Sequence, residues 1–356
     1  MSEQHSPASK PGKRLAEKAP KTAKKKGRGL TILAIIIVAL CIVALALRIY
    51  IRPPSQEGIN TNPAPSGQVT LPAGSTNPGA VNKKTYTCLL IGQRDGMTDT
   101  LMVAMLDVGN KTANVISIPR DTLVEVNRKL PKINGAYGAG GSGDEGIAKL
   151  KEELSTIIGY APINHVMVNM TAFKEVVDAI GGVEFDVPVN MYVKWEGINL
   201  KAGPQTLTGS QALQLVRFRG YGSSQSSSAA QAGIDHDDYG RMQVQQMFLR
   251  ALIDQTLTVK NIDKVPAILD AVGKNLRTDM GAGNIAWFAE QVLALPDDAI
   301  TFSTLPTHSI HYGDSSMSKN YYEVVDTEAA LEMINKMINP FTFEITKDMV
   351  THRDPT

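Results

Sequence analysis

The sequence predicts an α/β fold, a three-layer α/β/α sandwich with a central mixed sheet, preceded by one N-terminal transmembrane helix. Three observations carry this. Short β-branched and aliphatic runs alternate with segments whose apolar residues recur at helical spacing. A continuous apolar stretch stands near the N-terminus, and a stretch rich in Pro, Gly, Ser, Asn and Thr separates it from the alternating part. With 43% apolar and 20% charged residues in 356, one globular domain can bury a sizeable core once the tail, anchor and linker are set aside.

Residues 1–29 carry nine Lys/Arg (Lys10, Lys13, Arg14, Lys18, Lys21, Lys24, Lys25, Lys26, Arg28) against Glu3 and Glu17, and read as a basic, disordered cytoplasmic tail. From Leu30 to Leu47 every residue but Thr31 is apolar, a helix of ~27 Å, and Ile49 to Ile51 extend it. The excess of positive charge before this run puts the N-terminus in the cytoplasm and the rest outside. The poor cleavage site at Leu45-Ala46-Leu47-Arg48 favours an uncleaved signal anchor over 30–51 rather than a signal peptide. Residues 52–84 read as a flexible linker, 85–345 as the extracytoplasmic domain and 346–356 as a C-terminal tail. Beyond Arg52 the balance is 25 Lys/Arg against 33 Asp/Glu, so the exported domain is acidic. That argues against nucleic acid as a partner and makes any arginine cluster local and aimed. Cys41 lies in the apolar run and Cys88 in a strand, leaving no disulfide within the domain.

The domain opens with three runs, Thr85 to Gly92, Thr100 to Leu106 and Ala113 to Ile118, expected to be neighbouring strands. Gly146 to Ile158 reads as a helix stopped by Gly159, and His165 to Asn169 as a strand. A further helix follows, capped by Thr171, with Phe173, Val176, Val177 and Ile180 inward. Val183 to Val187 alternates as a half-exposed strand would. Tyr221 to Gly233, dominated by Ser, Gln, Ala and Gly, reads as a loop and candidate lid. Ile285 to Leu295 and Thr327 to Ile338 read as helices flanking a strand at Ile300 to Leu305.

Four segments place charge where the pattern is apolar. Gly92 to Thr100 is a polar turn in which Asp95 and Asp99, four apart, suit a shared cation. In Ser117-Ile118-Pro119-Arg120-Asp121-Thr122 the proline stops a strand, so that Arg120 and Asp121 emerge at its carboxyl end, where α/β sheets gather ligands; Lys132-Ile133-Asn134 follows. Arg217-Phe218-Arg219, read as extended, puts two guanidinium forks on one side, a match for a diphosphate, and Phe218 on the other. Asp238-Tyr239-Gly240-Arg241 opens a helix with Val244, Met247, Phe248, Ala251 and Leu252 as its buried stripe and Arg241 and Gln245 as a polar row. His308, His311 and His352 lack zinc-like spacing, and Ser223 to Ser228 lacks a nucleophile-elbow context. Trp195 and Trp287 read as half-buried packing residues rather than sugar-stacking faces.

Together these motifs, in this order behind one anchor, resemble the LytR-CpsA-Psr family, strongly over about residues 86 to 254. The resemblance implies an α/β/α sandwich with an apolar pocket for a prenyl chain. It also implies a Mg²⁺-assisted (or Mn²⁺-assisted) phosphotransferase that moves a glycan from undecaprenyl diphosphate to peptidoglycan at the membrane. By position, Asp99 is implied to hold the metal, with Asp95 as a possible second ligand, and Arg120, Lys132, Arg217, Arg219 and Gln245 to bind diphosphate oxygens. Asp238 and Arg241 match the pair that opens the helix, and Asp121 or Asp238 stands as a candidate base, although carboxylates held by arginine are weak bases. The chain departs from the family at Met97, where an arginine is common, and at Gly92-Gln93-Arg94-Asp95, where Arg94 would replace the lost cation. A polyprenyl-diphosphate phosphatase and a non-catalytic lipid-binding or regulatory membrane protein remain open beside the transferase.

Overall fold

Alternation along the first strand explains the architecture: Leu89 and Ile91 are buried in one core, while Leu90 and Gly92 turn to the opposite face of the sheet. The computed structural model describes residues 50–56, 81–219, 234, 237–256, 276–311 and 321–353. The expected tail and candidate lid, the signal anchor but for Tyr50 and Ile51, and most of the linker lie outside them. Among the described residues no helix is long and apolar enough to cross a membrane.

In chain order the strands are β1 (Thr85–Arg94), β2 (Met97–Asp107), β3 (Thr112–Ser117), β4 (Asn164–Asn169), β5 (Val183–Val187), β6 (Met191–Val193), β7 (Ile198–Leu200), β8 (Gly203–Leu207), β9 (Leu276–Thr278), β10 (Ile300–Thr304), β11 (Thr307–His311) and β12 (Tyr321–Val325). The helices are α1 (Ala136–Ala139), α2 (Gly143–Ile158), α3 (Met170–Ala179), α4 (Gly209–Arg217), α5 (Asp237–Thr256), α6 (Ala282–Leu293) and α7 (Thr327–Met337). The central sheet has the order β10-β3-β2-β1-β4-β9. β1, β3, β4 and β10 run one way and β2 and β9 the other, so four carboxyl ends meet at one edge. Two-stranded pairs β5–β8, β6–β7 and β11–β12 stand apart from it.

One face of the sheet packs against α2 and α7 through Leu150, Leu154, Ile334 and Met337. A second core gathers α3, α4 and α5 around the β5–β8 and β6–β7 pairs through Val177, Phe185, Leu215 and Phe248. Gly159 ends α2 at φ +84°, where a Cβ would lie 2.6 Å from Ile345.

Several expectations are corrected at element ends. Asn169, not Thr171, caps α3, its Oδ1 accepting from Ala172 N at 2.8 Å. Met247 is exposed rather than part of the α5 stripe. The segment expected as a C-terminal tail packs on the domain, with Met349 buried and Thr351 N donating to Thr156 O at 2.6 Å. The end of the expected linker does so too, Asn82 N donating to Pro340 O at 2.8 Å.

Glu153 on α2 is buried and accepts from Arg128 at 2.6 and 2.9 Å, while Arg128 Nη2 donates to Lys132 O at 2.7 Å and so fixes the loop that presents Lys132. Glu153→Ala is expected to cost about 3 kcal/mol, because it strips a largely buried cation of its partner; denaturant unfolding measures it. Away from that loop, Asp279 receives His165 N at 3.0 Å and faces His165 Nδ1 at 3.1 Å and Lys151 Nζ at 3.6 Å. Burial raises its pKa, but the hydrogen bonds from His165 and the charges of His165 and Lys151 together outweigh that and hold it at about 2. A depressed carboxylate adds stability that is present above its unfolded value of 3.8 and is lost as pH falls through about 2. Asp279→Asn should therefore flatten the acid limb of the stability profile between those values, as thermal melts across pH will read.

Candidate active site

The β1–β2 hairpin sets the geometry of the site. Asp95 and Gly96 take φ of +51° and +80°, the signs of an Asp-Gly hairpin turn, and the register shifts between Gly92 and Gln93. A Cβ on Gly92 would sit 2.9 Å from Thr100 Cβ, so this close approach needs glycine. The turn delivers Arg94 and Asp99 to the edge where the carboxyl ends of β1, β3 and β4 converge. Pro119 ends the neighbouring strand, and Arg120 meets Asp99 there, Nη1 to Oδ1 at 2.6 Å, while Arg94 Nε takes the other oxygen at 3.0 Å.

Helix α5 supplies the far wall. Gln246 Nε2 donates to Ser117 Oγ at 2.8 Å and Ser303 O at 3.0 Å, fastening the helix over the ends of β3 and β10. Two turns earlier, Asp238 Oδ2 accepts from Arg241 Nη2 at 2.9 Å, and its Oδ1 faces Arg219 Nη2 at 3.3 Å and Arg120 Nε at 4.0 Å. Arg241 is only 3% exposed and also donates to Asp99 O at 3.2 Å. Burial pulls its pKa down to about 10 against the help of Asp238, and Arg219 and Arg120 add to the fall. Burial and the charge of Arg120 depress Arg219 in the same direction. Tyr239 anchors the start of the helix by donating to Glu323 Oε2 on β12 at 2.8 Å.

Of the sequence-derived residues, Asp99, Arg120, Asp121, Lys132, Arg217, Arg219, Asp238, Arg241 and Gln245 lie in one neighbourhood. Asp121 holds Lys132 Nζ at 3.2 Å and Asn134 Nδ2 at 3.3 Å. Arg217 is the last residue of α4 rather than part of an extended strand, and the extended Phe218 follows it, still buried on the opposite side. Gln245 uses its amide to hold Val216 O at 2.9 Å. Asp95 stays exposed at the turn and is not among the residues that line the cavity described below. No cluster of three or more His, Cys, Asp or Glu forms a metal site among the described residues. Sequence reasoning missed Glu196, which pairs with Arg217 Nη2 at 3.4 Å from the β6–β7 hairpin, and Glu323; neither stands in a motif.

Behind this charged mouth lies a cavity of about 360 Å³ between the sheet and α3, α4 and α5. Leu90, Met102, Val166 and Val168 form its floor and Phe173, Val216, Phe248 and Leu252 its roof, with Arg94, Asp99, Arg217, Arg219 and Arg241 at the polar end. Buried Nε atoms of Arg120, Arg217 and Arg241 have no hydrogen-bond partner among the described residues. Six cations (Arg94, Arg120, Lys132, Arg217, Arg219, Arg241) meet four carboxylates (Asp99, Asp121, Glu196, Asp238) among the described residues of the mouth, a surplus of two positive charges.

Fold and site define an α/β protein with an apolar cavity closed by an anion-seeking guanidinium cluster. The chain belongs to the LytR_cpsA_psr family, whose model matches residues 60–339. It is 31% identical over 216 residues to the polyisoprenyl-teichoic acid–peptidoglycan teichoic acid transferase TagV of Bacillus subtilis (strain 168), covering 56% of this chain and 51% of that protein. To the TagU transferase of the same description from Bacillus mycoides (strain KBAB4) it is 33% identical over 191 residues, 53% of this chain and 57% of that one. The chain thus spans about half the length of these relatives. The crystal structure of B. subtilis TagV superposes with a TM-score of 0.59 at 26% identity, covering 72% of this chain and 96% of that one.

The charge surplus predicts that inorganic pyrophosphate binds the full-length protein. Arg120→Ala should weaken it roughly ten- to a hundredfold, the equivalent of about 1.5–3 kcal/mol for a charge-assisted hydrogen bond. Calorimetric titration checks this, and an unchanged affinity would put the anion elsewhere.

Proposed function

We propose that this chain is an extracytoplasmic phosphotransferase that moves a phosphorylated glycan from a polyprenyl diphosphate to peptidoglycan, with the apolar run Leu30 to Ile51 as its membrane anchor. One observation carries the reading: an apolar cavity ends in a mouth of surplus positive charge with unpartnered Nε–H groups, which suits an amphiphile with a hydrocarbon tail and a diphosphate head. The names of the TagV and TagU relatives support it.

A hard divalent cation would be held at Asp99, in place of the arginine contacts that its two oxygens make here. Mg²⁺ is commonly held by one or two carboxylates together with substrate phosphate oxygens, and Asp99 stands at the mouth as such a carboxylate. Bound there, Mg²⁺ (or Mn²⁺) would supply charge neutralisation on the diphosphate. Arg120, Arg217, Arg219 and Lys132 bind and orient the phosphoryl oxygens, and Arg241 with Asp238 holds the arginines in register. An acceptor hydroxyl oxygen bonds to the glycan-side phosphorus, and the bond from that phosphorus to the bridging oxygen breaks. Polyprenyl phosphate leaves with the electron pair, while the hydroxyl proton passes to Asp121 or Asp238.

The test is transfer of a labelled glycan from a synthetic polyprenyl-diphosphate donor to peptidoglycan oligomers by the full chain in detergent. Product should form with Mg²⁺, vanish with EDTA, and fall by roughly a hundredfold or more in Arg120→Ala and Asp99→Ala. Water-dependent release of glycan phosphate without coupling would instead mark a phosphatase, and donor binding without turnover a receptor.

A further inference from the structure

Trp195 is 87% exposed, although it sits in the short helical turn between β6 and β7, directly beside the mouth. Trp287, by contrast, packs against Tyr86 with ring centroids 4.6 Å apart. A large aromatic left in water is informative because folding gains from covering it. Its neighbour Glu196 is bonded to Arg217 at 3.4 Å, so the hairpin tip that carries Trp195 lies at the edge of the guanidinium cluster. The hairpin is braced rather than loose: Asn199 N donates to Gln214 Oε1 on α4 at 2.8 Å, and Gly197 closes the turn at φ +68°. Tyr192, also exposed at 64%, pairs across the hairpin with the exposed Asn199, which adds a second ring and an amide outside the cavity.

We propose that this hairpin tip is a saccharide-binding shelf, on which Trp195 stacks against the first sugars of the lipid-linked donor. The inference rests on the donor reading above. With the hydrocarbon tail in the cavity and the diphosphate at the arginines, the glycan must leave on the solvent side, past Glu196 and Trp195. The tip mixes aromatic faces with Lys194, Glu196 and Asn199, the blend of stacking and hydrogen-bonding groups that a polyhydroxylated ring needs. A surface built to enter a bilayer would surround the indole with apolar side chains instead.

The experiment compares binding of bare polyprenyl diphosphate and the same lipid bearing a disaccharide to the full chain in detergent, for wild type, Trp195→Ala and Trp195→Tyr. The disaccharide should tighten binding to wild type. Trp195→Ala should lose roughly two- to tenfold of affinity for the glycosylated lipid alone, as expected for one aromatic stack, with Trp195→Tyr restoring most of it. Equal affinity of wild type for the two lipids, or equal loss on both in Trp195→Ala, overturns the shelf while leaving the donor reading intact. Failure of bare polyprenyl diphosphate to bind wild type overturns the donor reading and the shelf with it. If Trp195→Ala instead weakens association with donor-free phosphatidylglycerol vesicles and leaves both lipids unaffected, the tip is a membrane contact and the shelf is wrong.

Discussion

The site depends on forcing guanidinium groups together. Arg120, Arg219 and Arg241 converge on the single carboxylate of Asp238, and Arg94 and Arg120 share Asp99. Like charges at this spacing repel, and burial makes each costlier. The arrangement persists because rigid elements impose it: Pro119 ends β3 at Arg120, the Asp-Gly turn returns β2 at Asp99, and Gln246 pins α5 to the ends of β3 and β10. Stability is thereby given up locally so that charge is organised before any ligand arrives, which is the condition under which electrostatic stabilisation acts without reorganisation.

The hollow has its own origin in strand alternation. Leu89, Ile91, Leu101 and Val103 fill the core under α2 and α7, whereas Leu90, Met102, Val166 and Val168 face a space that α3, α4 and α5 span without filling. An ordinary sandwich would close that gap with interdigitated side chains. Here the residues around it are as apolar as core residues, so the sequence pattern of a buried sheet and that of a lined cavity are the same.

That identity explains what was legible and what was not. The strands at Thr85, Thr100 and Ala113, the α2 helix with its Gly159 stop and the alternation of Val183 to Val187 follow from periodicity and punctuation, and the structure contains each. The motif residues were legible because charge stood at element ends. Counter-charges were not: Glu196 and Glu323 come from hairpins far away in sequence, and only the fold brings them to Arg217 and Tyr239. Arg217-Phe218-Arg219 reads as a strand by alternation, but α4 carries Arg217 in its last turn, and the extended Phe218 that follows gives the same opposed placement. The turn role of Asp95 was not legible from its spacing to Asp99: its positive φ places it in the Asp-Gly turn.

The same counter-charges define which anion the mouth can prefer. Before a ligand arrives, both oxygens of Asp99 are engaged by arginine, so an incoming phosphate oxygen must displace a carboxylate rather than fill empty space. A single phosphoryl group would meet fewer of the converging guanidinium groups at once. Two linked phosphoryl groups bring enough charge to meet the surplus of two, reach the unpartnered Nε–H groups and leave Asp238 holding Arg241 in place.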